Sequence, residues 1–205
     1  MRVAIIGGTG PFGRGLAARL HAAGDTVIVG SRDAAKAKTL AGELGVEGDA
    51  NAEAVADVEL AVLAVNAEAA VETARSLAGA LGSTPVLSVA SELGFGANGA
   101  RPGAEGPSLA ERVAAAVDAP VAAGLHSVAA RNLGEEAPDE DAFVCGDDPA
   151  AKALALELAS RVVAGRALDA GPLAAARALE GLTAVIVNLN RGYKGHAGLR
   201  VTGLP

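Results

Sequence analysis

Gly8, Gly10 and Gly13 stand at G-x-G-x-x-G spacing in "GGTGPFGRG", directly after the apolar run "RVAII" and at the start of a helical stretch. The first glycine of such a loop permits a tight turn, the second lets backbone approach a pyrophosphate, and the third lets helix and strand pack closely. The helix N-terminus then offers N–H groups and partial positive charge to phosphates. Thr9, Pro11 and Phe12 fill the same turn, where the missing N–H of Pro11 costs little. About twenty residues on, where a dinucleotide site normally carries Asp or Glu, "VIVGSR" ends in Ser31 and Arg32. A carboxylate there would accept from the ribose hydroxyls and repel a 2′-phosphate. Ser31 can instead donate to that phosphate, Arg32 offers it a planar charged fork, and Lys36 adds a third contact one turn into the next helix. The pattern selects NADP over NAD. The plain alternative is that Arg32 and Lys36 are solvated cations at a helix start.

The rest of the chemistry is sparser. The four lysines are Lys36, Lys38, Lys152 and Lys194, so the stretch 39–151 lacks the lysine that many NADP enzymes use as proton donor. Asp147 and Asp148 follow an apolar run and precede a helical one, which suits helix N-caps better than catalysis. Cys145 has no evident base partner and reads as a small core residue. His126 in "GLHSVAA" closes a predicted strand, on the carboxyl edge where doubly wound sheets bind ligands; a structural and a functional histidine both fit there. Val65, Asn66 and Val89 fall on the same edge. Beyond Gly181 the chain has no acid, while Arg191, Lys194, His196 and Arg200 gather near its end. That basic end could hold an anionic ligand or pair with the acidic loop of a neighbouring subunit.

These residues must be positioned by a regular scaffold. Apolar runs alternate with Ala- and Leu-rich helical stretches, the rhythm of βαβ units and a parallel sheet. Strands are expected over 2–6, 26–29, 60–65, 85–89 and 120–124, with 142–144 and 166–169 later. Helices are expected over 12–23, 34–45, 67–81, 108–117, 149–163 and 173–189. The fold class is α/β: a Rossmann-type, doubly wound, mostly parallel sheet with a small C-terminal helical appendage. The domains are 1–171 for nucleotide and 172–205 completing a second site. Two segments break the rhythm. Residues 92–108, "ELGFGANGARPGAEGPS", read as a mobile insertion or a ligand-covering lid, and 131–141, "RNLGEEAPDED", as a solvated charged loop. A net charge of −7 argues against nucleic-acid partners. A single cysteine suits a reducing compartment, and no apolar run approaches the roughly 18 residues of a membrane span, so a cytoplasmic protein is expected.

Taken together, "MRVAIIGGTGPFGRGLA", "VIVGSR", "GLHSVAA", "VCGDD" and "LDAGPL" followed by "ARALEGLTAVIVN" resemble, in order and spacing, the NADPH:F420 oxidoreductases over nearly the whole chain. The resemblance implies hydride exchange between NADP and the 8-hydroxy-5-deazaflavin coenzyme F420, and a homodimer. It implies that Thr9, Ser31 and Arg32 contact NADP, and that His126, Val128, Arg177 and Thr183 line the deazaflavin side. It also accounts for the missing lysine, because two cofactors supply the chemistry and the protein supplies placement, with no metal or nucleophile. His126 or solvent would then handle the accompanying proton. The sequence departs from the family pattern at Asn66-Ala67, where an apolar residue and an aromatic are found in some relatives, at Ala129 in place of a common Pro, and at Gly181 in place of Ser. An NADPH-dependent reductase of a flavin, imine or ketone, and a non-catalytic NADP-binding redox sensor, are the alternative readings. Arg32→Glu tests the nucleotide half: NADP affinity should fall far more than NAD affinity in equilibrium titrations, and an equal loss would show that Arg32 does not read the 2′-phosphate.

Overall fold

The computed structural model of the chain describes residues 1–103 and 105–204. The chain runs β1 (Arg2–Ile6), α1 (Pro11–Ala22), β2 (Thr26–Ser31), α2 (Ala34–Leu44), β3 (Glu47–Ala50), α3 (Asn51–Ala54), β4 (Leu60–Leu63), α4 (Ala67–Leu81) and β5 (Val86–Ser88). It continues with β6 (Leu93–Gly96), β7 (Gly99–Pro102), α5 (Leu109–Ala114), β8 (Val121–Gly124), β9 (Ala142–Gly146), α6 (Pro149–Val162), β10 (Ala167–Asp169) and α7 (Ala176–Tyr193). Eight strands form one sheet in the order β3-β2-β1-β4-β5-β8-β9-β10. Neighbours are parallel except β8 and β9, where Ala123 faces Cys145 in an antiparallel pair. The first six strands have the doubly wound dinucleotide-binding order, which reverses direction between β1 and β4. A crevice opens there at the carboxyl ends of the strands.

Local sequence explains most elements. β4 and β8 are buried along their whole length, as continuous apolar runs covered by helices on both faces must be. In α4, Ala70, Ala74, Leu77 and Leu81 recur at helical spacing and form the buried stripe. The Asp33 side chain accepts from the Ala35 and Lys36 amides to cap α2, and Gly45 ends it in the left-handed conformation (φ 71°). Ser108 and Glu111 close a reciprocal capping box on α5. The core lies on both faces of the sheet, with Ile5, Leu16, Leu20 and Leu158 on one side and Ile6, Leu77 and Val113 on the other.

Four expectations are corrected. β3 was not foreseen, because "EGDA" has poor strand propensity; it forms as an edge strand because β2 supplies a ladder from Ile28 to Ser31. Residues 93–102 of the irregular segment form the β6–β7 hairpin, whose strand β7 packs on α7; Ala104 of that segment lies outside the described residues. Asn188 of α7 holds the hairpin with two bonds, accepting from the Ala100 amide at 2.8 Å and donating to its carbonyl at 2.7 Å. The charged loop is not merely solvated. Glu140 and Asp141 are buried, and Asp141 accepts from the Arg166 amide and guanidinium and from the Val201 amide at 2.8, 3.0 and 2.8 Å. Those donors, with the Arg166 amide foremost, hold its carboxyl down at about 2. Of the basic residues near the end of the chain, Arg200 pairs with Asp139 of this loop in the same subunit, whereas Arg191 lines the crevice at the carboxyl ends of the strands. The last helix also starts later than expected, at Ala176, after a separate 3₁₀ turn at Leu173–Ala175.

Candidate functional site

A cleft of about 1000 Å³ opens at the carboxyl ends of the central strands. Its walls come from the glycine turn (Pro11, Phe12), the β4–α4 connection (Val65, Asn66), the β5 end (Val89, Ser91) and the β8 end (His126, Val128). The hairpin adds Leu93 and Phe95, and α7 adds Thr183, Ile186, Val187, Asn190 and Arg191. Two chain regions far apart in sequence thus face one space of ligand size.

The nucleotide end is built by close approach. The left-handed residue of the first turn is Gly7 (φ 76°), where a Cβ would lie 2.5 Å from Val65 Cγ1; the sequence reading gave that role to Gly8. A Cβ on Gly13 would lie 2.6 Å from Gly8 Cα, so the third glycine serves helix–strand packing as expected. Among the described residues α1 begins with no capping side chain and no acid in its first turn, which leaves its N-terminus open to a phosphate. Ser31 Oγ accepts from the Asp33 amide at 3.2 Å, which leaves its proton for a ligand oxygen. Arg32 is exposed beside it, and Lys36 Nζ is 4.0 Å from Asp33. Thr9 and Lys36 line a smaller cavity of about 330 Å³ with Arg14, which pairs with Glu43. These groups fit a phosphorylated dinucleotide.

The other end is quieter electrostatically. His126 is buried, and among the described residues neither ring nitrogen makes a hydrogen bond of good geometry. Burial pushes the imidazole down to about 4, which the Ala90 main chain offsets only in part, so the ring is neutral at pH 7. The residue before it, Leu125, is itself left-handed (φ 63°) yet fully buried, a conformation that costs ~1–3 kcal/mol and is held by core packing. The His126 carbonyl accepts from Thr183 Oγ1 at 2.8 Å, which ties α7 to the β8 end. Arg177 is not on the cleft wall; it sits 3.8 Å from the buried Glu180, whose carboxylate accepts from the Leu109 amide.

Comparison with known proteins decides the kinship. The F420-dependent NADP reductase of Methanothermobacter marburgensis is 37% identical to this chain over 224 aligned residues, covering 100% of both. The chain belongs to the F420-dependent NADP reductase family. Residues 2–92 also match the family model described as NADP oxidoreductase, coenzyme F420-dependent. The F420-dependent NADP reductase of Methanothermobacter thermautotrophicus is 35% identical, covering 100% of this chain and 96% of the relative. A crystal structure of a candidate F420-dependent NADP reductase from Arthrobacter sp. FB24 superposes with a TM-score of 0.84 at 25% identity, covering 99% of this chain and 100% of the other.

Ser91, Leu93, Phe95, Ile186, Val187 and Asn190 were missed in the sequence. The α7 residues carried a usable signal, since 183, 186, 187, 190 and 191 share one helical face; Ser91 and the hairpin residues carried none. Asp148 caps α6, whereas Asp147 accepts from the Leu173 amide instead. Cys145 is buried, and its thiol is pushed up to about 11, mainly by burial.

His126 gives a measurable pH dependence. The unfolded chain protonates this residue near pH 6.5 and the folded chain only near pH 4, so stability falls as pH drops through that window. Between pH 7 and 4.5 the loss from this ring should be about 2–3 kcal/mol in urea unfolding, and His126→Gln should lack it. Equal pH dependence in both proteins would contradict a buried neutral ring.

Proposed function

We propose that the chain transfers a hydride directly between NADP(H) and coenzyme F420, the two rings sharing the central cleft. The observation that carries this reading is the cleft itself, which joins the glycine turn to the α7 wall in one space of about 1000 Å³. That volume is at the upper end for a single small-ligand pocket and suits two ring systems. The overall exchange is NADPH + F420 + H⁺ ⇌ NADP⁺ + reduced F420, and the two cofactors carry the redox chemistry.

The chain's own part is binding, orientation and exclusion of water. Gly8, Gly10 and Gly13, with Thr9, Pro11 and Phe12, hold the pyrophosphate at the α1 N-terminus; Ser31, Arg32 and Lys36 take the 2′-phosphate. Val65, Asn66 and Val89 seat the nicotinamide. Val128, His126 and Thr183 seat the deazaflavin, and Arg177 acts from behind through Glu180. Fixing two reactants in contact can lower a barrier by ~7–11 kcal/mol at best. His126 enters the reaction as neutral imidazole, a hydrogen-bond partner for the proton that travels with the hydride, because its ring carries no second proton at pH 7. Arg131 and Arg191 bring positive charge to the cleft of a chain with net charge −7, which suits two anionic cofactors. The C-terminal segment 172–205 completes the second site on the nucleotide domain 1–171. A homodimer is supported by Val185 and Tyr193, large apolar side chains left exposed on α7. A cytoplasmic location is supported by the unpaired Cys145. Among the described residues, no helix is long and apolar enough to cross a membrane.

Anaerobic mixing of the protein with NADPH and oxidised F420, followed by visible absorbance, tests the reading. Rapid bleaching of the deazaflavin with NADPH and not with NADH is expected. Binding of NADPH with no bleaching would overturn the acceptor and leave the nucleotide assignment standing.

A further inference from the structure

Three oxygens lie in a row on the cleft wall. Thr183 Oγ1 is 2.8 Å from the His126 carbonyl oxygen, and Ser91 Oγ is 2.7 Å from Thr183 Oγ1. Proton counting orders them. A carbonyl only accepts, so the single Thr183 proton is committed to His126. The proton between the two hydroxyls must then belong to Ser91. Both hydroxyl protons are consumed within the chain, and the Oγ of Ser91, a residue of the cleft wall, has only lone pairs left to offer. Donating into a chain of hydrogen bonds also makes that oxygen a better acceptor.

We infer that Ser91 is a specificity-determining residue that accepts a hydrogen bond from an amide N–H of a ring bound in the cleft. The inference rests on the function proposed above and names a contact made there. The chemistry it selects is a planar, uncharged N–H donor. Both rings carry one: the nicotinamide in its carboxamide, the deazaflavin in its ring imide. A ligand that presents a carbonyl or an N-methyl group at this point would face lone pairs with lone pairs or with carbon. Thr183 fixes which way the Ser91 proton points, so the acceptor character is a property of the pair.

The test crosses a protein change with ligand changes. Ser91→Ala and the wild-type protein are compared with the natural pair, with reduced 3-acetylpyridine adenine dinucleotide phosphate, which lacks the carboxamide N–H, and with an N3-methylated deazaflavin. With the natural pair, Ser91→Ala should lower kcat/KM by about tenfold. With one of the two analogues that penalty should vanish, and the analogue that abolishes it identifies the ring. A penalty of the same size with every ligand would assign Ser91 a purely structural role, and no penalty at all would remove it from the site; either overturns the inference. The same comparison on the Kd of the oxidised ligands, read by calorimetry, reports on Ser91 even if no hydride passes. Failure of hydride transfer in the wild-type protein would therefore count against the proposed function separately. Thermal unfolding of Ser91→Ala checks that the variant is folded.

Discussion

The hydrogen bond from Thr183 to the His126 carbonyl joins the two halves of the site. The glycine turn, the β4–α4 connection and the β5 end all belong to the parallel sheet and would be present without α7. What closes the crevice into the full cleft is the helix laid against the β8 end, and its polar anchors to that edge are Thr183 Oγ1 on His126 and on Ser91 Oγ. The carbonyl that receives this anchor follows directly after the left-handed Leu125. A strained backbone residue buried in the core is costly, and the observed packing around Leu125 and Val128 offsets that cost.

α7 is held from several directions, by a buried carboxylate at Glu180 and by more exposed amides at Asn188 and Asn190. Glu180 reaches the amide of Leu109 at the start of α5, and burial raises its carboxyl while the Leu109 and Ala110 amides pull it back. Asn188 substitutes for a strand edge in binding Ala100, so the hairpin that carries Leu93 and Phe95 is fixed to the helix that carries Ile186 and Val187. Asn190 accepts from the Ala197 amide, and the chain beyond it returns to Asp141 through Val201. Of these contacts the buried one is the most costly to lose, since without the Leu109 amide the Glu180 carboxylate would be a buried acceptor lacking a partner, at a cost of about 1–3 kcal/mol. Rigidity of this kind suits a reaction whose catalysis is placement.

The scaffold was legible where local chemistry and tertiary demand agree. Continuous apolar runs and the glycine spacing located β1, β2, β4, β8 and the phosphate turn. β3 was illegible because its ladder partner, and not its own residues, makes "EGDA" a strand. The hairpin was illegible because its stability comes from Asn188, some ninety residues away in sequence. For the site, Pro11, Phe12, Val65, Asn66, Val89, His126, Val128 and Thr183 are brought to one cleft, while Ser31 and Arg32 lie outside its wall at the end of β2. Ser91 gave no sign in sequence, since its role depends on where the Thr183 proton points. The burial that makes His126 neutral is likewise a tertiary fact.

Direct transfer as proposed has the hydride pass between two rings held in one slot, never through the protein or water, while only the accompanying proton exchanges with its surroundings. The most direct measurement uses NADPH deuterated at C4, one diastereomer at a time, in ordinary water, with the reduced deazaflavin analysed by proton NMR and mass spectrometry. One diastereomer should deliver its deuterium quantitatively to C5 and the other should deliver none. Solvent hydrogen at C5, or equal delivery from both diastereomers, would contradict a fixed, water-excluding cleft.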